Sequence, residues 1–342
     1  MLDDLKYIHQ RDKSDALGIA EKQWQQLLQE FEVPQISGQF ENVVYAGMGG
    51  SALSARLSMT WPGHNVPFEI VADYNIPNYV SDKTLFVSCS YSGNTEEAIS
   101  ALHEAEKTGA TIVVIACGGK LEEIATEKGY VFAKIPPVSQ PRFATLYILK
   151  ALVTILEKAG LVKASGAEKD MHLASDFLKK SVEAWVPTVP TAKNVAKQIA
   201  QDVIGSSPVV YAGPLLAPAA YKWKISFNEN AKNVAWWGQY PEFNHNEFPG
   251  WSSHPVDKPY SVIDLRTSFD HPQIQKRFEI SSKLLSGKRP HPITVHAEGE
   301  TLLEQLLWTV ALGDFVSLYT ALLNNIDPSP VDLIENLKKQ LI

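Results

Sequence analysis

Short, nearly continuous apolar runs alternate along this chain with segments of helical spacing. Residues 43–47, 85–89, 111–116 and 130–133 are rich in β-branched and aromatic side chains and predict strands. Residues 51–59, 95–108, 120–128 and 143–158 carry the helical pattern between and after them. Strands that are apolar on both faces and alternate with helices predict a parallel sheet covered on both sides. In the second half the predicted strands are 233–237, 260–265 and 293–296, and the predicted helices 217–227, 274–285 and 301–323. Residues 15–31 read as one amphipathic helix that leads into an irregular Pro/Gly connection. The charged stretch 164–180 reads as the bridge between the halves. A last helix, 331–341, is set off by Asp327-Pro328-Ser329-Pro330, where the prolines fix its start.

The halves share a motif. Val43-Val44-Tyr45-Ala46-Gly47 returns as Val209-Val210-Tyr211-Ala212-Gly213, an offset of 209 − 43 = 166 positions. Strand, glycine and then helix is the opening of a parallel α/β unit, and here it occurs twice. At about 100–200 residues per domain, a chain of 342 residues predicts two domains.

Composition narrows the class. With 45% hydrophobic and 20% charged residues the chain is globular, not disordered or fibrous. Its formal charge of −7 and its scattered Lys and Arg argue against a nucleic-acid surface. No uninterrupted apolar stretch reaches the ~18 residues of a membrane-spanning helix. The opening Met1-Leu2-Asp3-Asp4-Leu5-Lys6 is too acidic for a secretory signal. Two cysteines, Cys89 and Cys117, form no disulfide framework and fall in runs that read as buried strands. A soluble, cytoplasmic protein without a membrane or nucleic-acid partner is expected.

The candidate chemistry begins at Gly47-Met48-Gly49-Gly50-Ser51, between the first strand and its helix. Glycines there let backbone N–H groups approach an anion, and a helix N-terminus favours negative charge. Position 52 is Ala, so the spacing is not that of a dinucleotide fingerprint, and no P-loop lysine follows. The next strand ends in Ser88-Cys89-Ser90-Tyr91-Ser92-Gly93-Asn94-Thr95-Glu96-Glu97. One of these hydroxyls is expected to cap the following helix. Ser90, Ser92 and Thr95 together exceed what capping needs. At the carboxyl end of a parallel strand they predict phosphate binding.

These two motifs resemble the sugar isomerase (SIS) domain, which binds phosphosugars. The chain from about residue 41 onward resembles the tandem-SIS bifunctional phosphoglucose/phosphomannose isomerases. The further resemblances are Pro141-Arg142, Asn228-Glu229-Asn230-Ala231-Lys232, Pro241-Glu242-Phe243-Asn244-His245-Asn246-Glu247 and Asp327-Pro328-Ser329-Pro330-Val331. The resemblance implies an α/β fold of two tandem SIS domains. A helical segment would occupy 1–40, a phosphate-binding first domain 41–165, and a second domain with the catalytic residues 190–342. It also implies a metal-independent aldose–ketose isomerase, without cofactor, that acts on phosphosugars as a homodimer with shared active sites.

Within that resemblance Gly49, Gly50, Ser51, Ser90, Ser92 and Thr95 would hold the phosphate. Glu229 would be the base that moves a proton between C1 and C2. Its aromatic and apolar surroundings are of the kind that raise a carboxylate's pKa into a working range. His245 would open the sugar ring from the partner subunit, with Asn244 and Asn246 fixing its tautomer. Arg142 would face the enediolate. Lys338 or Lys339, with the register favouring Lys338, would be the active-site lysine of the last helix. Ser329 stands where the family has threonine, beside the pocket that admits both C2 epimers. Glu242 and Glu247 read as positioning or structural. No metal site is expected, since His291 and His296 lack a nearby Cys or carboxylate. The rival readings are another SIS isomerase and a phosphosugar-sensing regulator without turnover.

Overall fold

Two short helices open the chain, α1 (Leu5–Arg11) and α2 (Ala16–Lys22). The Asp12 carboxylate starts the second by accepting the Ala16 and Leu17 N–H groups at 2.7 and 2.9 Å. The computed structural model describes residues 1–163, 166–253 and 259–341, apart from the side chains of residues 338, 339 and 341. The chain divides into two compact units, Gln23–Asp176 and Met1–Lys22 with Phe177–Ile342. The helix expected over 15–31 is therefore two elements. Helix α2 stops at Lys22, and a 3₁₀ turn, Gln23–Leu28, begins the other unit.

In the unit Gln23–Asp176 the strands are β1 (Asn42–Ala46), β2 (Phe68–Val71), β3 (Thr84–Ser90), β4 (Thr111–Ala116) and β5 (Val131–Lys134). The helices are α3 (Gly49–Thr60), α4 (Glu96–Glu106), α5 (Gly119–Lys128) and α6 (Thr145–Lys158). The strands pair in the order β2-β1-β3-β4-β5, all parallel. Alternate side chains along each strand feed two cores. Val43, Tyr45, Val87 and Cys89 pack with Ala55 of α3 and Ile148 and Leu152 of α6. Val44, Phe86 and Val114 pack with Leu102 of α4 and Leu121 of α5. Strand β3 is buried along its whole length, as its apolar run predicts. The strand order reverses between β1 and β3. A crevice outside the carboxyl ends of the strands is expected at such a switch point.

Helix α7 (Ala167–Val182) carries the chain across the division between the units. In the second unit follow α8 (Val195–Val203), β6 (Ser207–Ala212), α9 (Ala217–Glu229), β7 (Trp236–Gln239) and β8 (Tyr260–Arg266). Next come α10 (Pro272–Leu284), β9 (Ile293–His296), α11 (Leu302–Leu323) and α12 (Asp332–Leu341). Its sheet has the order β7-β6-β8-β9, again all parallel. The motif noticed in sequence is thus a topological repeat. Strand β1 matches β6, β2 matches β7, β3 matches β8 and β4 matches β9.

Helix α11 is the axis of this unit. A Thr301–Glu304 capping box starts it, with Glu304 N–H to Thr301 Oγ1 at 3.2 Å and Thr301 N–H to Glu304 Oε2 at 3.0 Å. By length and composition α11 is apolar enough to cross a membrane, yet 94% of its most apolar window is buried inside the protein. The first helices belong here. The Tyr7 hydroxyl donates to the Leu322 carbonyl at 2.7 Å, and Arg11 Nε donates to Asn325 Oδ1 at 2.6 Å.

Candidate functional site

The glycine turn after β1 and the serine turn after β3 meet at the switch point of the first sheet. Gly49 adopts φ of +50°, a left-handed conformation that starts α3 without a side-chain cap. Ser51 is buried in the first turn of α3 and accepts the Tyr91 N–H at 3.2 Å. Ser90 is buried at the end of β3. Its hydroxyl lies 2.7 Å from Thr95 Oγ1 and 3.3 Å from Ser92 Oγ, and it accepts the Gly93 N–H at 3.1 Å. The expected hydroxyl cap is not made. Thr95 occupies the N-cap position of α4, but its hydroxyl turns to Ser90 and forms no cap hydrogen bond. The first-turn N–H groups of α4 keep no side-chain cap, which is the arrangement an anion exploits.

Two further glycines complete the crevice. Gly93 has φ of +72°, and a Cβ there would lie 1.7 Å from the Gly118 carbonyl oxygen. Gly119, with φ of +73°, is also crowded, since a Cβ there would lie 2.4 Å from the Ser92 carbonyl oxygen. Asn94 works on the neighbouring helix, where its Oδ1 accepts the Lys120 N–H of α5 at 2.9 Å. Cys89 lies fully buried beneath the loop, and burial pushes its thiol up to about 12, so it is no nucleophile at neutral pH. Cys117 is not in a strand as expected; it sits just past β4 and is only partly buried.

Arg142 belongs to the same unit. It lies in a 3₁₀ turn, Pro141–Phe143, started by Pro141, and its Cα would stand 3.5 Å from a Cβ on Gly50. The residue is 2% exposed, so it is not a solvated loop arginine. Tyr91 fixes the approach to this turn, and sequence reasoning assigned it no role. Its hydroxyl donates to the Val138 carbonyl at 2.9 Å and accepts the Val138 N–H at 2.6 Å. The signal was available as the one aromatic residue inside a run of hydroxyls.

The other unit carries a second group. Glu229 is the last residue of α9 and is half-buried. On either side, Asn228 Oδ1 accepts the Ala235 N–H at 3.0 Å and Asn230 Nδ2 donates to Ser317 Oγ at 2.9 Å. Lys232 ties this block to the closing turn by donating to the carbonyls of Asp327 and Pro328 at 3.1 and 2.9 Å. Ser329 is buried in that turn, with its N–H on Asp327 Oδ1 at 2.9 Å. Glu229 and the turn of Ser329 are therefore neighbours. The side chains of Lys338 and Lys339 lie outside the described residues.

His245 is elsewhere in this unit. Strand β7 runs parallel to β6, from Trp236 beside Val209 to Gln239 beside Ala212. Asn233 Nδ2 donates to the Ser206 carbonyl at 2.9 Å, which places the end of α9 at the amino edge of the sheet. The Tyr240 N–H donates to the Ala212 carbonyl at 2.9 Å, which places the turn holding His245 at the carboxyl edge. The length of β7 separates them, about 13 Å at 3.3 Å per residue. The ring is exposed, and the flanking amides do not hold it as expected. Asn244 bonds Ser281 and Arg277, and Asn246 bonds Glu242. Glu247 accepts the Tyr211 hydroxyl.

The carboxyl edge of the second sheet does not repeat the hydroxyl crevice of the first. Pro214-Leu215-Leu216 replaces Met48-Gly49-Gly50. The Asp270 carboxylate, 3% exposed, crowds Gly213 so closely that a Cβ there would meet Oδ1 at 2.4 Å. Burial raises this carboxyl to about 6. Among the described residues no group of three or more His, Cys, Asp or Glu is placed to hold a metal ion.

Comparison with known proteins shows the family. The family model of the bacterial phospho-glucose isomerase C-terminal SIS domain matches residues 192–341. The bifunctional phosphoglucose/phosphomannose isomerase of Aquifex aeolicus is 34% identical over 306 residues, which is 88% of this chain and 91% of that protein. This chain belongs to the bifunctional phosphoglucose/phosphomannose isomerase family. The D-glucosamine-6-phosphate 4-epimerase of Sulfolobus acidocaldarius is 33% identical over 235 residues, 67% of this chain and 72% of that protein. The fold is also that of a glucose-6-phosphate isomerase like protein from Thermus thermophilus. That likeness has a TM-score of 0.66 at 19% identity and covers 97% of this chain and 99% of the other. Within this isomerase family member, the hydroxyl crevice and Arg142 lie in one unit, and Glu229, Ser329 and His245 in the other.

Proposed function

We propose that this chain interconverts glucose 6-phosphate and mannose 6-phosphate with fructose 6-phosphate through a cis-enediol, without a metal. The observation that carries this reading is the Ser90–Ser92–Thr95 cluster at the uncapped start of α4, in a chain of this family. Ser51, Ser90, Ser92, Thr95 and the N–H groups of Gly49 and Gly50 bind the phosphate. Glu229 takes the proton from C2 of the open-chain aldose. The C–H electrons form the C1=C2 bond, and the C1 oxygen gains a proton. Return of the proton to C1, with loss of the C2 hydroxyl proton, yields the ketose. Arg142 and Lys338 offset the enediolate charge, and Ser329 lines the pocket for both C2 epimers.

His245 opens the ring from a second subunit. Its distance from Glu229 of the same chain, across the length of β7, supports a homodimer with shared sites. Both aldoses reach one enediol, and a single base serves both epimers when the intermediate rotates about C2–C3.

The test uses EDTA-treated protein with each aldose phosphate, following fructose 6-phosphate. Turnover of both is expected, and Glu229→Gln is expected to lose isomerisation while still binding the phosphosugar. An active Glu229→Gln variant would falsify the base assignment. The Sulfolobus relative makes a C4 epimerase of glucosamine 6-phosphate the second reading. Turnover of that amino sugar alone would select it.

A further inference from the structure

Helices α9 and α11 meet through a buried ladder of polar groups. Lys222 Nζ donates to Asp314 Oδ1 and, at 2.7 Å, to Ser226 Oγ, which in turn donates to Asp314 Oδ1 at 2.9 Å. One turn further on, Asn230 Nδ2 donates to Ser317 Oγ at 2.9 Å, and Ser317 Oγ donates to the Asp314 carbonyl at 2.9 Å. All five residues are 1% exposed or less. Beside the ladder Trp223 Nε1 donates to the Thr309 carbonyl at 2.8 Å. Its indole lies against Gly313, where a Cβ would stand 2.4 Å from the ring.

Residues 222, 226 and 230 are spaced by four, so they share one face of α9 and its end, with Glu229 beside the last rung. A buried ion pair is weak evidence for stability, because apolar groups of similar volume often serve as well or better. What it supplies is register. Sliding α9 by one residue, about 1.5 Å, would break every bond that crosses between the two helices at once, whereas an apolar face would repack. Displacing a reacting group by about 1 Å can cost on the order of 100-fold in rate.

We infer that the Lys222–Asp314–Ser226 and Asn230–Ser317 rungs are positioning residues that hold Glu229 in catalytic register. The inference rests on the reading of Glu229 as the base. The test is the double variant Lys222→Met/Asp314→Leu, which replaces the ion pair by apolar groups, with Ser317→Ala as a milder change at the nearest rung. For the double variant kcat should fall roughly 10- to 100-fold with an unchanged KM for glucose 6-phosphate and an undiminished thermal midpoint. Ser317→Ala should lower kcat several-fold. The kinetic isotope effect with substrate deuterated at C2 should rise in both. Wild-type kcat in either folded variant overturns the inference. Glu229→Gln measured alongside separates the two failures. If that variant is active, the base assignment falls; if it is inactive while the ladder variants keep wild-type kcat, only the ladder proposal falls.

Discussion

The main-chain N–H of Tyr91 donates to the hydroxyl of Ser51 at 3.2 Å, so the turn after β1 and the turn after β3 are one structure. Tyr45 supports it from below, donating from its buried hydroxyl to the Ser51 carbonyl at 2.7 Å. Ser51→Ala removes the tie to Tyr91 together with a hydroxyl proposed to bind the phosphate. Hydrogen bonds to charged groups contribute about 1.5–3 kcal/mol, so KM for glucose 6-phosphate should rise roughly 10- to 100-fold. The effect on kcat should be smaller. Steady-state kinetics and inhibition by inorganic phosphate test both numbers, and an unchanged KM would remove Ser51 from the phosphate site.

Gly49 and Gly93 share a left-handed backbone but differ in surroundings. Nothing lies within 4 Å of a Cβ at Gly49, whereas Gly93 faces the Gly118 carbonyl. Gly49→Ala should therefore cost only the backbone conformation, about 1 kcal/mol. Gly93→Ala adds a main-chain collision and should lower stability by more than about 2 kcal/mol. Urea unfolding of both variants checks the order, and equal losses would contradict it.

Ser329 is held in a turn that Lys232 ties to the block of Glu229. Ser329→Ala should reduce mannose 6-phosphate turnover several-fold more than glucose 6-phosphate turnover. Ser329→Thr should keep both. The ratio of kcat/KM for the two aldoses is the measurement, and equal losses in Ser329→Ala would leave epimer choice to other residues.

Asp270 and His64 predict opposite pH dependences. Burial holds the Asp270 carboxyl at about 6 against an ordinary 3.8, so the folded state keeps its proton longer than the unfolded state. Its contribution is full below about pH 4 and is lost as pH rises to about 6, on the order of 3 kcal/mol at most. Burial, with Lys163 nearby, holds His64 at about 4 against 6.5. Its contribution is full above pH 6.5 and is lost as pH falls toward 4. The advantage of Asp270→Asn over the parent should grow as pH rises from 4 to 7. The advantage of His64→Gln should grow as pH falls from 6.5. Thermal midpoints across pH 4.5–7.5 test this; parallel curves would show that neither group titrates as its burial requires.

Much of the fold can be read from the pattern of side chains. Strand β4 and strand β9 lie at the residues their apolar runs predict, and α10 and α11 begin within two residues of expectation. The misses have local causes. Strand β2, Phe68–Val71, is four residues with Glu69 in the middle, and only pairing with β1 makes it a strand. Helices α1 and α8 are short, and much of their support comes from α11 and its surroundings. The site was legible where its chemistry is concentrated in sequence, as in the serine turn. Lys232 and the Gly118-Gly119 pair were not, because their partners lie 25 to 96 residues away.

The sequence by itself determined the alternation of strands and helices, the doubled motif and the hydroxyl turn suited to phosphate. These follow from periodicity and glycine chemistry, which act between near neighbours. The tertiary structure alone decided that Thr95 leaves α4 uncapped, that Asp270 fills the space over Gly213, and that Glu229 and His245 stand at opposite edges of one sheet. Those outcomes depend on which strands pair and in which direction, a choice made by burial across the whole unit and written in no single segment.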